Sequence, residues 1–209
     1  VDDTNLESAT ITISSGYVSS EDVLGFSAQN GISGSWSSGS GVLTISGTSS
    51  KANYETALES VSYNNTSENP NTSARTIAWV LNDGDGNSGT VLSTVNITAA
   101  NEVPILKGSV ATINFTENDG ATVIDSSLIV TDVDDTDLEL ATITISTGYV
   151  GSEDVLEFNN QNGIIGIWDS ESGVMTLSGI SSKTNYETAL VSLTYNNTSD
   201  APNTDSRTI

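Results

Sequence analysis

The sequence predicts an all-β protein, built as tandem antiparallel Greek-key β-sandwiches that each carry one short helix. Three observations lead there. Residues 1–77 align without a gap onto residues 133–209, with 55 of the 77 positions identical. Apolar residues alternate with polar ones along short runs, and Gly, Asn and Ser interrupt those runs at close intervals.

The elements follow in order. Ala9, Ile11 and Ile13 alternate with Thr10 and Thr12, the period of a strand with one buried face. Leu24 with Phe26, Leu43 with Ile45, Val61 with Tyr63, and Ile77 with Trp79 and Leu81 repeat the pattern, and Val91, Val95 and Ile97 extend it. One stretch departs from it. Tyr54, Ala57, Leu58 and Val61 fall at helical spacing behind Ser49, Ser50 and Asn53 as candidate caps, which predicts a helix over 53–59 that closes one end of the sandwich, with a copy over 185–191. Residues 78–99 read as a hairpin turning at Asn82 to Ser88. After Asn101 to Pro104 a new strand pair is expected, first at Ile113 and Phe115, then through Val123, Leu128 and Val130.

This places one sandwich at 1–101 and a second at 102–209, with a repeat period of 132 residues. On that division the first lacks its N-terminal strands and the second its C-terminal hairpin. Bare edges aggregate, so the missing strands are expected from neighbouring sequence or a neighbouring chain. A period out of step with the ends is expected of a piece of a longer array.

Composition narrows the function. The net charge is −22, with Lys51, Arg75, Lys107, Lys183 and Arg207 as the cations. Such a chain repels phosphate backbones and anionic membrane surfaces and attracts divalent cations. The 35% hydrophobic share, regularly placed, fits thin-cored sandwiches rather than disorder. Cysteine and histidine are absent, which excludes disulfides, the usual zinc sites and histidine acid–base chemistry. No run of about 18 apolar residues suggests a membrane span in this segment. Without a phosphate loop, a nucleophile elbow or a metal-hydrolase motif, the expectation is a non-enzymatic protein.

Several residues are candidates for chemistry. Glu21-Asp22 and Glu153-Asp154 offer paired carboxylates of the glycosidase kind, but neighbours on a strand point apart, so solvated turns are expected. Trp36 and Trp168 could stack on sugars; buried sandwich positions are favoured, as for Trp79. Asp83-Gly84-Asp85-Gly86-Asn87 spaces its oxygens like a calcium loop but has Ser88 where an EF-hand needs glycine, so a hairpin turn is favoured. Asn-x-Ser/Thr triplets at Asn64, Asn65, Asn71, Asn96, Asn114 and Asn196 are what chance supplies in so Asn- and Thr-rich a chain.

A short strand Phe115-Thr116-Glu117-Asn118, a following Asp132-Val133-Asp134-Asp135, a late strand over Ala78 to Asn82 running into Asp83-Gly84, and the linker Asn101-Glu102-Val103-Pro104 together resemble cadherin-like domains of the Ig-like sandwich type. More closely, the wording around Ala9 to Ile13, Asp22 to Phe26, Gly41 to Gly47 and Tyr54 to Ser67 is similar to the tandem cadherin-like repeats of giant bacterial surface adhesins. The resemblance implies an extracellular stalk or adhesin module, stiffened by calcium at the interdomain linker. It implies Asn101, Glu102, Asp132 and Asp134 as the calcium-facing residues, with Asp83 and Glu117 serving neighbouring junctions. The linker lacks the family's dense Asp/Asn run, and the first domain lacks its Asp-Arg-Glu type motif. The partners implied are adjacent repeats of the same polypeptide or identical chains, with cell-surface glycans or proteins beyond them. The alternatives are a filament or sheath protomer assembled by strand complementation, and a glycan-binding module using Trp36 and Trp168.

Overall fold

The structure is a computed structural model and describes residues 4–110 and 112–209. It is all-β apart from two short helices and falls into two compact units, 1–100 and 101–209.

In the first unit, five strands form one antiparallel sheet: β1 (Asn5–Ser15), β3 (Ser33–Ser37), β4 (Val42–Ser50), β6 (Arg75–Asn82) and β7 (Val91–Val95), in the order β3-β4-β1-β6-β7. A second layer pairs β2 (Asp22–Gly25) with β5 (Ser62–Asn65). The alternation read along the sequence is the core itself: Ala9, Ile11 and Ile13 from β1, Leu43 and Ile45 from β4, Ile77 from β6 and Leu24 from β2 are all buried together. Strand β3 escapes sequence reasoning because its Ser-Gly-Ser-Trp-Ser run offers one apolar side chain.

The helix α1 (Lys51–Glu59) starts two residues before the expected position. Ser50 is its N-cap, its hydroxyl accepting from the Asn53 amide at 3.3 Å, so the helix opens at Lys51 rather than at Asn53. Tyr54 is fully buried and donates its hydroxyl proton to the Gly47 carbonyl at 2.9 Å. Gly47 itself sits at φ +138°, and a Cβ there would come within 2.2 Å of the Gly31 carbonyl oxygen; only glycine meets both demands.

The second unit repeats this plan with β11 (Asp137–Thr144), β12 (Asp154–Glu157), β13 (Ile165–Asp169), β14 (Val174–Ser182), α2 (Lys183–Val191) and β15 (Thr194–Asn197). It adds β8 (Ile105–Lys107), β9 (Thr122–Val123) and β10 (Ile129–Thr131). Its sheets run β11-β14-β13, β12-β15-β9 and β10-β8. The strand expected at Ile113 and Phe115 is not formed: residues 112–116 have no regular structure. Phe115 instead acts as a single anchor, its ring edge-on to Tyr195 at 5.3 Å. With Ile124, Leu128 and Val130 it packs on the core, and Leu190 and Leu193 are buried there while their counterparts Leu58 and Val61 are half-exposed.

The expectation of solvated turns at Glu21-Asp22 and Glu153-Asp154 is wrong. Asp22 is 1% exposed and its carboxylate accepts two bonds from Arg75 Nε, at 3.0 and 3.1 Å. Tyr63 Oη at 2.6 Å, Asn65 Nδ2 at 3.2 Å and the Val18 amide at 2.8 Å donate to it as well. Glu21 accepts from Arg75 Nη2 at 3.2 Å, and the same guanidinium holds the Asn71 carbonyl at 2.8 Å. The second unit rebuilds the cluster with Asp154, Arg207, Tyr195, Asn197 and Val150. The cation that reverses the reading lies 53 residues away in the sequence, beyond the reach of any local pattern.

Removing one partner of a buried pair strands the other charge, so Asp22→Ala should destabilise the first unit by about 3–5 kcal/mol, and Asp22→Leu combined with Arg75→Met by much less. Urea unfolding of the single and double variants checks this. Burial alone would raise the Asp22 and Asp154 carboxyls, but the bonds from Arg75 or Arg207, from Tyr63 or Tyr195 and from the backbone outweigh it and hold both below the usual carboxylate range. A folded-state value below the unfolded one of about 3.9 gives stability that is full above that pH and lost as pH falls through the lower value. The contribution of this pair to the urea midpoint should therefore be constant from neutrality to about pH 4 and decline below it, a step absent in the double variant.

Candidate metal centre

The candidate site belongs to the second unit, in the loop that joins β10 to β11. Asp132 folds the loop: its Oδ1 accepts from the amides of Asp134 at 3.2 Å and Asp135 at 3.0 Å. This turn brings ligand oxygens of Asp132, Asp134 and Asp135 within 4.8 Å of one another. The Asp135 amide is the main reason the Asp132 carboxyl lies below its usual range, with the Lys183 charge a smaller one.

Two features set the electrostatics of the loop. The Asp132 Oδ2 and Asp134 Oδ1 atoms are shielded from solvent and accept no hydrogen bond in the structure, a costly state for a carboxylate oxygen. Lys183, the first residue of α2, donates to the main-chain oxygens of Asp132 and Asp135. Its ammonium is thus held on the main chain of the loop.

Of the expected residues, Glu102, Asp132 and Asp134 come together. The Glu102 amide donates to Asp134 Oδ2 at 3.2 Å, tying the linker to the loop. Asn101 stands next to them with its Nδ2 donating to the Glu102 carbonyl at 2.7 Å. Asp135 was missed; its signal was the position three residues after an Asp in a tight turn. The matching positions of the first repeat, Asp2 and Asp3, lie outside the described residues.

Asp83 and Glu117 do not belong to this cluster. Asp83 closes the β6–β7 hairpin, its Oδ1 accepting from the amides of Gly86 at 2.8 Å and Asp85 at 3.2 Å, and the Gly86 bond is the first reason its carboxyl is lowered. Glu117 sits on a turn beside Asn118, which donates to it at 3.4 Å, and lines a cavity of about 300 Å³ together with Tyr195 and Arg207.

The tryptophans are not deep in the core as expected. Trp36 and Trp168 are half-buried on β3 and β13, edge-on to Tyr17 at 6.1 Å and Tyr149 at 6.0 Å. Those strands are sheet edges, where one side of the indole meets solvent. Trp79 is also half-buried, its Nε1 donating to Ser93 Oγ at 3.0 Å.

No family model and no solved structure matches this chain. Among curated proteins, halomucin of Haloquadratum walsbyi (strain DSM 16790 / HBSQ001) is 35% identical over 133 residues, which is 61% of this chain and 1% of halomucin. The chain is thus similar to one small part of a very long protein.

Proposed function

We propose that this chain is a non-enzymatic repeat module of an extracellular surface protein, a stalk or adhesin in which sandwiches follow one another along the polypeptide, with calcium held at the Asp132 loop. The observation that carries the module reading is the gapless duplication of most of one β-sandwich within 209 residues, with 55 of 77 aligned positions identical. Similarity to a small part of halomucin supports placing such repeats in a very long protein, and the acidic surface suits an exposed, soluble array. No helix among the described residues is long and apolar enough to cross a membrane.

The calcium clause rests on the loop. A hard cation takes six to eight oxygens at about 2.3–2.6 Å, so ligands on opposite sides of it are roughly 4.8 Å apart. The three carboxylates meet that limit. Asp132, Asp134 and Asp135 would supply most of the charge, and Glu102 with Asn101 would bring oxygens from the linker. Bound there, the ion would fasten the linker to the β10–β11 loop and offset part of the local repulsion.

Calcium at about a hundredfold excess over its dissociation constant should stabilise the second unit by about 2.7 kcal/mol. Calorimetry with calcium and with a chelator reads the shift. It should vanish in Asp132→Ala combined with Asp134→Ala and persist in Asp83→Asn; an unchanged melting temperature in the unaltered chain would remove calcium from the proposal and leave the module reading in place. That reading is tested by fractionating producing cells with an antibody to the repeat, and recovery of the parent polypeptide solely from the cytosol would defeat it.

A further inference from the structure

The two units share a sandwich but not its outer surface. On the solvent side of the sheet β11-β14-β13, Ile165 and Ile167 project from β13 and Ile180 from β14, where the first unit has Ser33, Ser35 and Thr48. They are 53%, 62% and 75% exposed. Their strand neighbours turn the other way: Trp168 packs on the core and Ser181 is buried, as the alternation of a strand requires. Ile165 stands opposite Ser178 and Ile167 opposite Thr176, and the same two rows continue onto β11 at Leu140 and Thr142. No charged residue falls in either row. The fold does not need the isoleucines, since the first unit forms the same three-stranded arrangement, β3-β4-β1, with serine and threonine in their places.

Charge lies at the two ends of this patch, and there too the units differ. Asp169 ends β13 beyond Ile167 and pairs with Val174, with Glu171 following in the turn; Asp137 opens β11 opposite Ser182, beyond Ile180. The first unit has Ser37, Gly39 and Asn5 at these positions. Ile180 also borders a groove of about 410 Å³ whose lining includes Asp132, Asp135, Asp137 and Glu139. Isoleucines in place of hydroxyls and carboxylates in place of neutral residues, all on one face, give it the anatomy of a binding surface: an apolar centre that gains from leaving water and a charged rim that orients what arrives.

We infer that this face docks a protein partner that carries aliphatic side chains between two groups of lysine or arginine. Charge complementarity with the acidic ends selects the cations. The distance along β14 from Ser182 to Val174 is roughly 25 Å at about 3.3 Å per residue, which sets the separation of the two cationic groups. A helix suits such a face, because its backbone is satisfied internally and the sheet beneath has no peptide groups to offer; the span corresponds to about 17 helical residues. A second copy of this chain lacks the required chemistry. Arg75 and Arg207 are sealed in their clusters and Lys183 is held on the Asp132 loop, which leaves Lys51 and Lys107 against a net charge of −22. The inference gives the second unit a partner independently of calcium, and its failure leaves the module reading in place.

The probe is a synthetic helical peptide of about 17 residues, with leucines along one face and lysines at both ends, titrated into the full chain at physiological ionic strength with a chelator present. One-to-one binding is expected, with the methyl resonances of Ile165, Ile167 and Ile180 shifting and those of Ile11 and Ile13 unmoved. The variant Ile165→Ser, Ile167→Ser, Ile180→Thr takes the first unit's residues, so it should keep the fold and bind about tenfold more weakly or worse. Asp137→Asn with Asp169→Ser should weaken binding and flatten its salt dependence. A peptide with glutamine for each leucine, equal in charge, should lose as much affinity, which decides the matter even if the isoleucine variant fails to fold. No binding, equal affinity for the two peptides, or methyl shifts confined to other residues would overturn the inference. So would self-association of the unaltered chain that the isoleucine variant abolishes, because the occupant would then be a second copy.

Discussion

Each unit depends on one guanidinium sealed against one aspartate. Arg75 and Arg207 link the residues that lead into the β6 position with the start of β2 or β12, so the ion pair fastens the two layers where the apolar core is thin. Its geometry is over-determined: a tyrosine hydroxyl, an asparagine amide and a backbone amide complete the coordination of each carboxylate. A buried pair contributes little net stability relative to a well-packed apolar substitute, but it penalises any arrangement that separates its members. In a chain rich in near-identical strands, that penalty helps to fix which layers meet.

The scarcity of cations gives the arrangement its wider meaning. Two of the five lie in these clusters, and a third, Lys183, caps the carbonyls of the Asp132 loop. The charge of −22 therefore resides on a surface with few internal counterions. The Asp132 loop concentrates this condition, with carboxylate oxygens withdrawn from solvent and lacking donors.

The duplication makes each unit a control for the other. Where residues 115–130 pack against the second helix, Leu190 and Leu193 are buried; where β6 pairs beside β1, Ile11 and Ala9 are. Burial in this fold is thus a property of which strands reach a given edge, more than of the residues beneath them.

By itself the sequence determined the all-β class, most of the strands with two or more alternating apolar residues, the helix within two residues and the duplication, because these depend on local periodicity and on self-comparison. The resemblance it carries also pointed to Asp132 and Asp134. Tertiary structure decided the rest. Asp22 reads as a solvated turn until Arg75 arrives from 53 residues away; Phe115 reads as a strand residue until Tyr195 captures its ring as an isolated anchor; Trp36 reads as core until β3 takes a sheet edge. In each case the deciding partner is distant in sequence, and a local pattern records a residue's own preference but not the group it will meet.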